Sequence, residues 1–466
     1  MSPFNPVQEE DLRFFRELMP GRVFAGEELS SDYDHDEMTE YGHYVPEAVL
    51  QALTTEEVSR VLAYCNARRI PVTPRGAGTG LCGGCVAIYG GIVLSTEKMK
   101  RVLEVDVRNM TATVEPGVLL MEFPHSLEGT GLFYPPDPGE KTATMGGNAM
   151  TNAGGMRAVR YGVTRDYVLG MEVVLADGTV LHLGGKNVKT SSGYSLIDLM
   201  IGSEGTLGFL TSLTVKLVPE PKMNLSLLMP FDDLDSCIGA VPQVLSCGCD
   251  PTAVEFMERE VITCAETYLG KQYPDTDANA YLLVRLDGDS TDALKSPVDR
   301  LTDLVLSLGA KDVLLADTDE RKESIWNARG AFLEAIKNST TAMDECDVVV
   351  PRDRIPDFVR RMLEIAAEEK IRIRSFGHAG DGNLHIYVCR DDLPETVWKQ
   401  KAAAVMDRLY AAARELRGEV SGEHGIGHAK KSFLRNSLGE RQMELMRGIK
   451  QVFDPAGILN PGKVCE

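Results

Sequence analysis

The sequence predicts an α+β protein of more than one domain, and three observations carry that prediction. Its 466 residues make room, at about 150 residues per domain, for two or three cores. Before Val218 the strand-like runs come mostly as pairs closed by short turns, whereas beyond Pro221 strands alternate with long amphipathic helices. Between the halves VPEPK, from Val218 to Lys222, brackets a charge with two prolines and punctuates the chain.

In the first half, TTEEVSRVLAYCNARR from Thr54 predicts a helix. Thr54 and Glu57 have capping-box spacing, and Val58, Val61 and Leu62 share a face. IPVTP predicts a strand that runs into a glycine-rich loop, and GIVLS predicts the strand after it. VLEVDV with MTATVEPG, and MEVVLADGTVLHLG with Asp177-Gly178 at its turn, predict hairpins. Hairpins rather than regular βαβ units are therefore expected here. In the second half, LSLLMPF, AYLLVRLD, CDVVVP, IRIRSF and LHIYV predict strands. DALKSPVDRLTDLVLSL, ERKESIWNARGAFLEAI and RIPDFVRRMLEIAAEEK predict helices, as does the stretch from Glu395 to Leu416. The sheet is expected to be covered by helices.

Composition excludes several functions. Hydrophobic residues make up 43% and charged residues 25%, too apolar for a disordered chain. The formal charge of −20 repels polyanions and disfavours nucleic-acid binding. The N-terminus lacks a basic region followed by an apolar one, and no run approaches the ~18 apolar residues of a membrane span. A soluble cytoplasmic protein is expected. The 10 cysteines have no small-domain spacing. Cys82 and Cys85 form a single CxxC without a second, and Cys247 and Cys249 stand alone, so both pairs are read as thiols rather than metal ligands.

Glycine is in excess and clustered. Seven glycines fall among the sixteen residues from Gly76 to Gly91. Gly78 to Gly83 matches GxGxxG, yet a strand follows where a dinucleotide fold needs a helix. What PRGAGTGLCGG offers is a nest of backbone N–H groups for a pyrophosphate, since glycine permits positive φ and close approach. No GxxxxGK[ST] occurs, so a nucleoside triphosphatase is not supported. Pro135 to Gly162 and Gly202 to Thr211 are similarly rich in glycine and small polar residues. Three such segments point to one long ligand touched by several loops.

Histidine is clustered as well. Of 8 histidines, His378, His385, His424 and His428 lie near the C-terminus. FGHAGDGNLH sets His378 and His385 on either side of AGDGNL, and a hairpin centred on Asp381 and Gly382 would make them face each other with Cβ atoms ~5 Å apart. SGEHGIGH supplies Glu423 and His424. Two imidazoles and a carboxylate suit a divalent metal such as Zn, Fe or Mn. The residues alone leave satisfied turn histidines equally open. His428 and Asn383 are read as packing or supporting residues, and His35, His43, His125 and His182 as structural.

PRGAGTGLCGG, the DPG…GGNAMTNAGG segment, GSEGTLG, FGHAGDGNLH and SGEHGIGH together, in order, resemble the FAD-linked 2-hydroxy-acid dehydrogenases of the vanillyl-alcohol-oxidase superfamily. That group includes D-lactate dehydrogenases, the flavin subunit of glycolate oxidase and D-2-hydroxyglutarate dehydrogenase. The resemblance implies a PCMH-type FAD-binding domain over residues 1–221 and an α+β cap domain over 222–420. It further implies a C-terminal segment, 421–466, that carries the metal and base motif and returns to the FAD domain. By motif, Arg75, Gly76, Ala77, Gly78, Thr79 and Gly80 would bind the pyrophosphate. Pro138, Thr142, Gly146, Gly147, Asn148, Thr151, Asn152, Gly154, Gly205, Thr206 and Gly208 would line the rest of the cofactor. Thr79 stands where tethered relatives carry His, so non-covalent FAD is implied, and Glu140 replaces a common Ser.

The same resemblance makes His378, His385 and Glu423 the metal ligands, His424 the base and Arg329 the residue that holds the substrate carboxylate. Relatives that take 2-hydroxyglutarate place a Lys near the position of Glu345, and an acid there would repel a distal carboxylate. D-lactate is therefore favoured, with glycolate next. The chain shows no carrier to reoxidise the flavin. The resemblance implies an electron-transfer flavoprotein, as in electron-bifurcating lactate dehydrogenase complexes, with a quinone or cytochrome as alternative. A metallohydrolase and a non-catalytic flavin relay subunit are the rival readings.

Overall fold

A computed structural model describes residues 3–466. The chain forms two compact units. One comprises the chain up to Ala153, Val163–Glu220 and Glu423–Glu466; the other comprises Gly154–Gly162 and Pro221–Gly422. The short piece Gly154–Gly162 thus belongs with the second unit, although the sequence places it inside the first domain.

The first unit contains a four-stranded sheet in the order Val23–Ala25, Ala48–Gln51, Ile92–Ser95, Val72–Arg75. Its last three strands are parallel. Helix Thr55–Arg68 crosses from Ala48–Gln51 to Val72–Arg75, so a βαβ crossover exists where only hairpins were expected. The strands are short, apolar and almost wholly buried, and periodicity cannot assign such runs to a parallel sheet. The helix starts as its cap predicts. Thr54 Oγ1 accepts the Glu57 N–H at 3.2 Å, and Val58, Val61, Leu62 and Cys65 are buried in a core shared with Phe15, Ile92 and Leu94.

A second, five-stranded antiparallel sheet takes both predicted hairpins at its edges: Val102–Asp106 with Thr111–Val114, and Val168–Val174 with Val180–Gly184. Strand Phe209–Lys216 lies between them. At the second hairpin's turn Gly178 has φ +86°, and a Cβ there would stand 2.6 Å from the Ser59 carbonyl, so the turn seats on the crossover helix.

The C-terminal tail pairs beside Val72, whose N–H reaches the Ile458 carbonyl at 2.8 Å. Lys463 is fully buried, donates to the Val86 carbonyl at 2.6 Å, and has its pKa lowered to about 8 by burial. Between pH 8 and its ordinary 10.5 the unfolded chain keeps this proton while the folded one releases it, so stability rises with pH in that window. Lys463→Met is expected to remove a slope of at most about 1.4 kcal/mol per pH unit. Thermal unfolding from pH 7 to 10.5 checks this; equal slopes in both proteins would refute it.

The second unit is built on a seven-stranded antiparallel sheet. Its order is Leu314–Ala316, Met223–Phe231, Ala280–Gly288, Ala253–Glu258, Ile373–His378, Asn383–Cys389, Met343–Val349. All five predicted strands are present. Ala253–Glu258 and Leu314–Ala316 are additions, the first carrying a glutamate inside an apolar run. Helices Arg259–Leu269, Asp319–Gly330 and Phe332–Asn338 pack together, as do Ile355–Glu369 and Glu395–Glu415. The helix expected over 320–336 breaks at Ala331. Among the described residues no helix is long and apolar enough to cross a membrane.

Candidate functional site

In the first unit the three glycine-rich segments converge. A Cβ on Gly76 would lie 2.5 Å from Thr144 Oγ1, which itself caps helix Met145–Thr151 by accepting the Gly147 N–H at 3.0 Å. Gly146 presses on Pro116 in the same way at 2.5 Å, and Gly205, φ +71°, on Pro74 at 2.8 Å. The Gly202 and Glu204 N–H groups donate to the carbonyls of Ala149 and Met150 at 3.1 and 2.8 Å. Among the described residues, the N–H groups of Gly76, Ala77, Gly78, Thr79, Gly80 and Leu81 donate to no protein acceptor. Asn148 Nδ2 is buried without one. Six peptide donors and a buried amide beside glycines that tolerate no Cβ fit a pyrophosphate-containing cofactor such as FAD.

Other expected contacts are spoken for. The Arg75 guanidinium lies beneath the loop, where Nη1 donates to the His35 carbonyl at 2.9 Å and Nη2 to that of Asp32 at 2.5 Å. A Cβ on Gly78, φ +81°, would sit 2.1 Å from Arg75 Nη2. Arg75 therefore supports the loop and adds positive charge below it. Thr142 is exposed and gives its hydroxyl and N–H to Glu140 Oε1 at 2.5 and 2.7 Å. The Pro138 carbonyl accepts Lys141 Nζ at 2.9 Å. Thr151 Oγ1 bonds to the Gly147 carbonyl at 3.1 Å, Asn152 Oδ1 takes the Arg165 N–H at 3.0 Å, and Thr206 Oγ1 bonds to the Ser203 carbonyl at 2.7 Å. Gly208 lies against Met200, and Gly154 begins the piece that joins the second unit.

Two buried acids that the sequence reading missed hold this region together. Asp36 receives the N–H groups of Gly83 and Met38, and burial raises its pKa to about 6. Glu204 is buried, which raises its pKa, and it accepts the Ile426 and Gly427 N–H groups at 2.7 and 2.8 Å. The segment carrying SGEHGIGH is thereby tied to the glycine loop: the His428 N–H reaches the Cys82 carbonyl at 3.1 Å and Cys82 Sγ meets the Gly425 carbonyl at 3.2 Å. The His428 ring packs over Gly83, and burial lowers its pKa to about 4.

In the second unit the hairpin Ile373–His378 and Asn383–Cys389 presents His378 and His385. They are not opposite each other, as expected, but diagonal, because the register pairs His378 with Asn383 and His385 with Phe376. The diagonal still brings the rings together, with centroids 5.0 Å apart and Nε2 atoms 3.2 Å apart. Both are about 95% buried. His378 Nδ1 bonds to Glu255 Oε1 at 2.8 Å, which leaves Nε2 as the acceptor nitrogen. His385 Nδ1 lies 3.6 Å from Asp347 Oδ1. Imidazoles that bind one divalent ion at ~2.1 Å stand about 3.0–3.4 Å apart at cis or tetrahedral angles, and carboxylates behind them are the usual supports. The pair therefore fits a metal.

Glu255 is fully buried between two partners. Arg329 Nε and Nη2 donate to its Oε2 at 2.9 and 2.5 Å, and the guanidinium lies 4.5 Å from the Phe376 ring centroid. Arg329 is thus a buried group holding an anion of the protein, with Nη1 left for a second acceptor. Asp347 takes Asn383 Nδ2 at 2.6 Å, Ser421 Oγ at 2.8 Å and the Gly422 N–H at 2.9 Å. Glu345 is buried, and its carboxylate lies within 4.8 Å of those of Asp347 and the ring of His385. Glu255 and Asp347 were legible only as acids inside apolar runs, AVEFME and CDVVVP. Glu423 follows Gly422 directly and begins the last part of the first unit, where its Oε1 is 3.7 Å from His424 Nε2. The expected metal set is divided between the units at this peptide bond.

Comparison with known proteins agrees with both halves. Residues 46–184 match a family model described as FAD binding domain, and 220–464 match FAD linked oxidases, C-terminal domain. A D-lactate dehydrogenase of Anaerostipes hadrus is 51% identical over 99% of this chain and 98% of its own. A glycolate oxidase subunit GlcD of Bacillus subtilis is 39% identical over 93% and 91%. Among solved structures, p-cresol methylhydroxylase superposes with a TM-score of 0.81 at 18% identity, covering 99% of this chain and 98% of that one, a likeness of fold. The chain therefore belongs to the FAD-linked oxidases, with a PCMH-type FAD-binding domain followed by the C-terminal domain of that family.

Proposed function

We propose that this protein oxidises a small D-2-hydroxy acid, D-lactate foremost, to the 2-oxo acid. The observation that carries the reading is the pair of Nε2 atoms 3.2 Å apart, with His378 locked by the buried Glu255–Arg329 pair. Two relatives named D-lactate dehydrogenase, 51% and 40% identical, favour the substrate. When bound, non-covalent FAD supplies the hydride acceptor, and a divalent ion (Zn, Fe or Mn) held by His378, His385 and Glu423 supplies a Lewis acid for the 2-hydroxyl. Arg329 holds the substrate carboxylate through its free Nη1 edge, and Glu255 fixes the orientation of that guanidinium. His424 removes the hydroxyl proton. Gly76, Ala77, Gly78, Thr79 and Gly80 cradle the pyrophosphate, with Arg75 adding positive charge beneath them and Asn148 and the segments after Gly146 and Gly205 along the rest.

Glu345 sharpens the specificity. A carboxylate buried next to Asp347 and His385 adds an acidic group beside the proposed metal pair, which disfavours a substrate that carries a second carboxylate. Anaerobic bleaching of the flavin by D-lactate, L-lactate, glycolate and D-2-hydroxyglutarate is the test. D-lactate is expected to lead in kcat/KM, glycolate to follow at about tenfold or more below, and a higher value for D-2-hydroxyglutarate would overturn the reading. Electrons then pass to a soluble electron-transfer flavoprotein in the cytoplasm, a compartment that suits ten unbridged cysteines. Mild co-purification should recover that partner; a pure homomer active with quinone would favour the quinone alternative.

A further inference from the structure

We propose that Asp34, His35 and His43, on the surface of the first unit, form a binding site for a divalent transition-metal cation that braces the FAD loop. Asp34 Oδ1 lies 2.8 Å from His43 Nδ1 and 4.0 Å from His35 Nε2. All three ligand atoms lie within 4.8 Å of one another, and the two rings meet edge to face with centroids 5.2 Å apart. His35 Nδ1 is 2.7 Å from the Asp36 carbonyl, and a carbonyl can only accept, so Nδ1 bears the proton and the Nε2 lone pair faces Asp34. A ligating histidine is oriented in the same way by its other nitrogen. The loop is closed before any ion arrives, because the Tyr44 N–H donates to the Asp34 carbonyl at 2.6 Å and Gly42 makes the return turn with φ +106°. Two imidazoles and one carboxylate suit Zn, Co, Ni or Cu and are a poor site for Ca or Mg, which demand oxygen.

The site is wired to the cofactor loop through three consecutive residues. Asp34 is a ligand. His35 is a ligand whose carbonyl also accepts Arg75 Nη1 at 2.9 Å, and Asp36 holds the Gly83 N–H. Cross-linking Asp34, His35 and His43 therefore stiffens the segment that carries Arg75 beneath Gly78. None of the three ligands takes part in the chemistry proposed above, and the inference stands without it.

Titration of the FAD-loaded protein with Co(II), followed by its d–d absorbance and metal analysis, tests the site. His43 is half exposed, so His43→Ala threatens the fold little, and His35→Gln provides a second variant. Each is expected to bind one equivalent fewer than the parent protein, whatever the His378 and His385 pair contributes. Zinc is expected to slow FAD release on dilution, read from flavin fluorescence, by at least about fivefold in the parent protein and not in His43→Ala. Equal stoichiometry in parent and variants, or release that zinc leaves unchanged in both, would overturn the proposal.

Discussion

Glu255→Gln is expected to lower affinity for a divalent ion by about ten- to a hundredfold and to destabilise the second unit by about 3–5 kcal/mol. Glu255 has no exposure, and it neutralises Arg329 while accepting from His378 Nδ1. A glutamine offers one acceptor oxygen and no charge. The guanidinium is then buried without a counterion, and the imidazole loses the anion that makes Nε2 a strong donor to a metal. Metal content and thermal unfolding measure the two effects. A variant that unfolds at lower temperature yet keeps the parent's metal affinity would reduce Glu255 to a packing role.

Gly78→Ala should cost at least about tenfold in FAD affinity. Its φ of +81° disfavours any side chain, and a methyl group would meet Arg75 Nη2 at 2.1 Å. The left-handed conformation costs ~1–2 kcal/mol by itself, and displacing Arg75 breaks the bonds to the Asp32 and His35 carbonyls that hold the loop's floor. Gly129→Ala is the control, because Gly129 has φ +75° and nothing within 4 Å of the added carbon. Equilibrium titration of the apoprotein with FAD should separate the two, both paying the backbone strain and only Gly78→Ala losing the cofactor. Equal affinities would mean that the loop tolerates the displacement and that Arg75 does not shape it.

Much of the site was readable from local pattern. The capped helix from Thr54 and the Asp177-Gly178 hairpin follow from propensity and turn chemistry, which act over a few residues. The three glycine clusters were visible because glycine is costly unless backbone must approach backbone or ligand. Membership of a FAD-linked family displaces the metallohydrolase reading of the same histidines. Arg329 was expected to hold the substrate carboxylate, and the structure adds a buried partner for it, Glu255, 74 residues away. Nothing near either residue announces the other.

By itself, then, the sequence determined which residue types stand at which turns: peptide donors in the loop after Arg75, imidazoles on either side of the AGDGNL connection, and a glutamate and histidine on a glycine hinge. Only the tertiary structure decided the register that sets His378 diagonal to His385, and the acids, Glu255, Asp347, Glu204 and Asp36, that stand behind each working group. Strand register and long-range pairing are settled by the burial of whole faces at once. A buried charge is tolerated only where the completed fold brings it a partner, and neither condition is written in any short stretch of the chain.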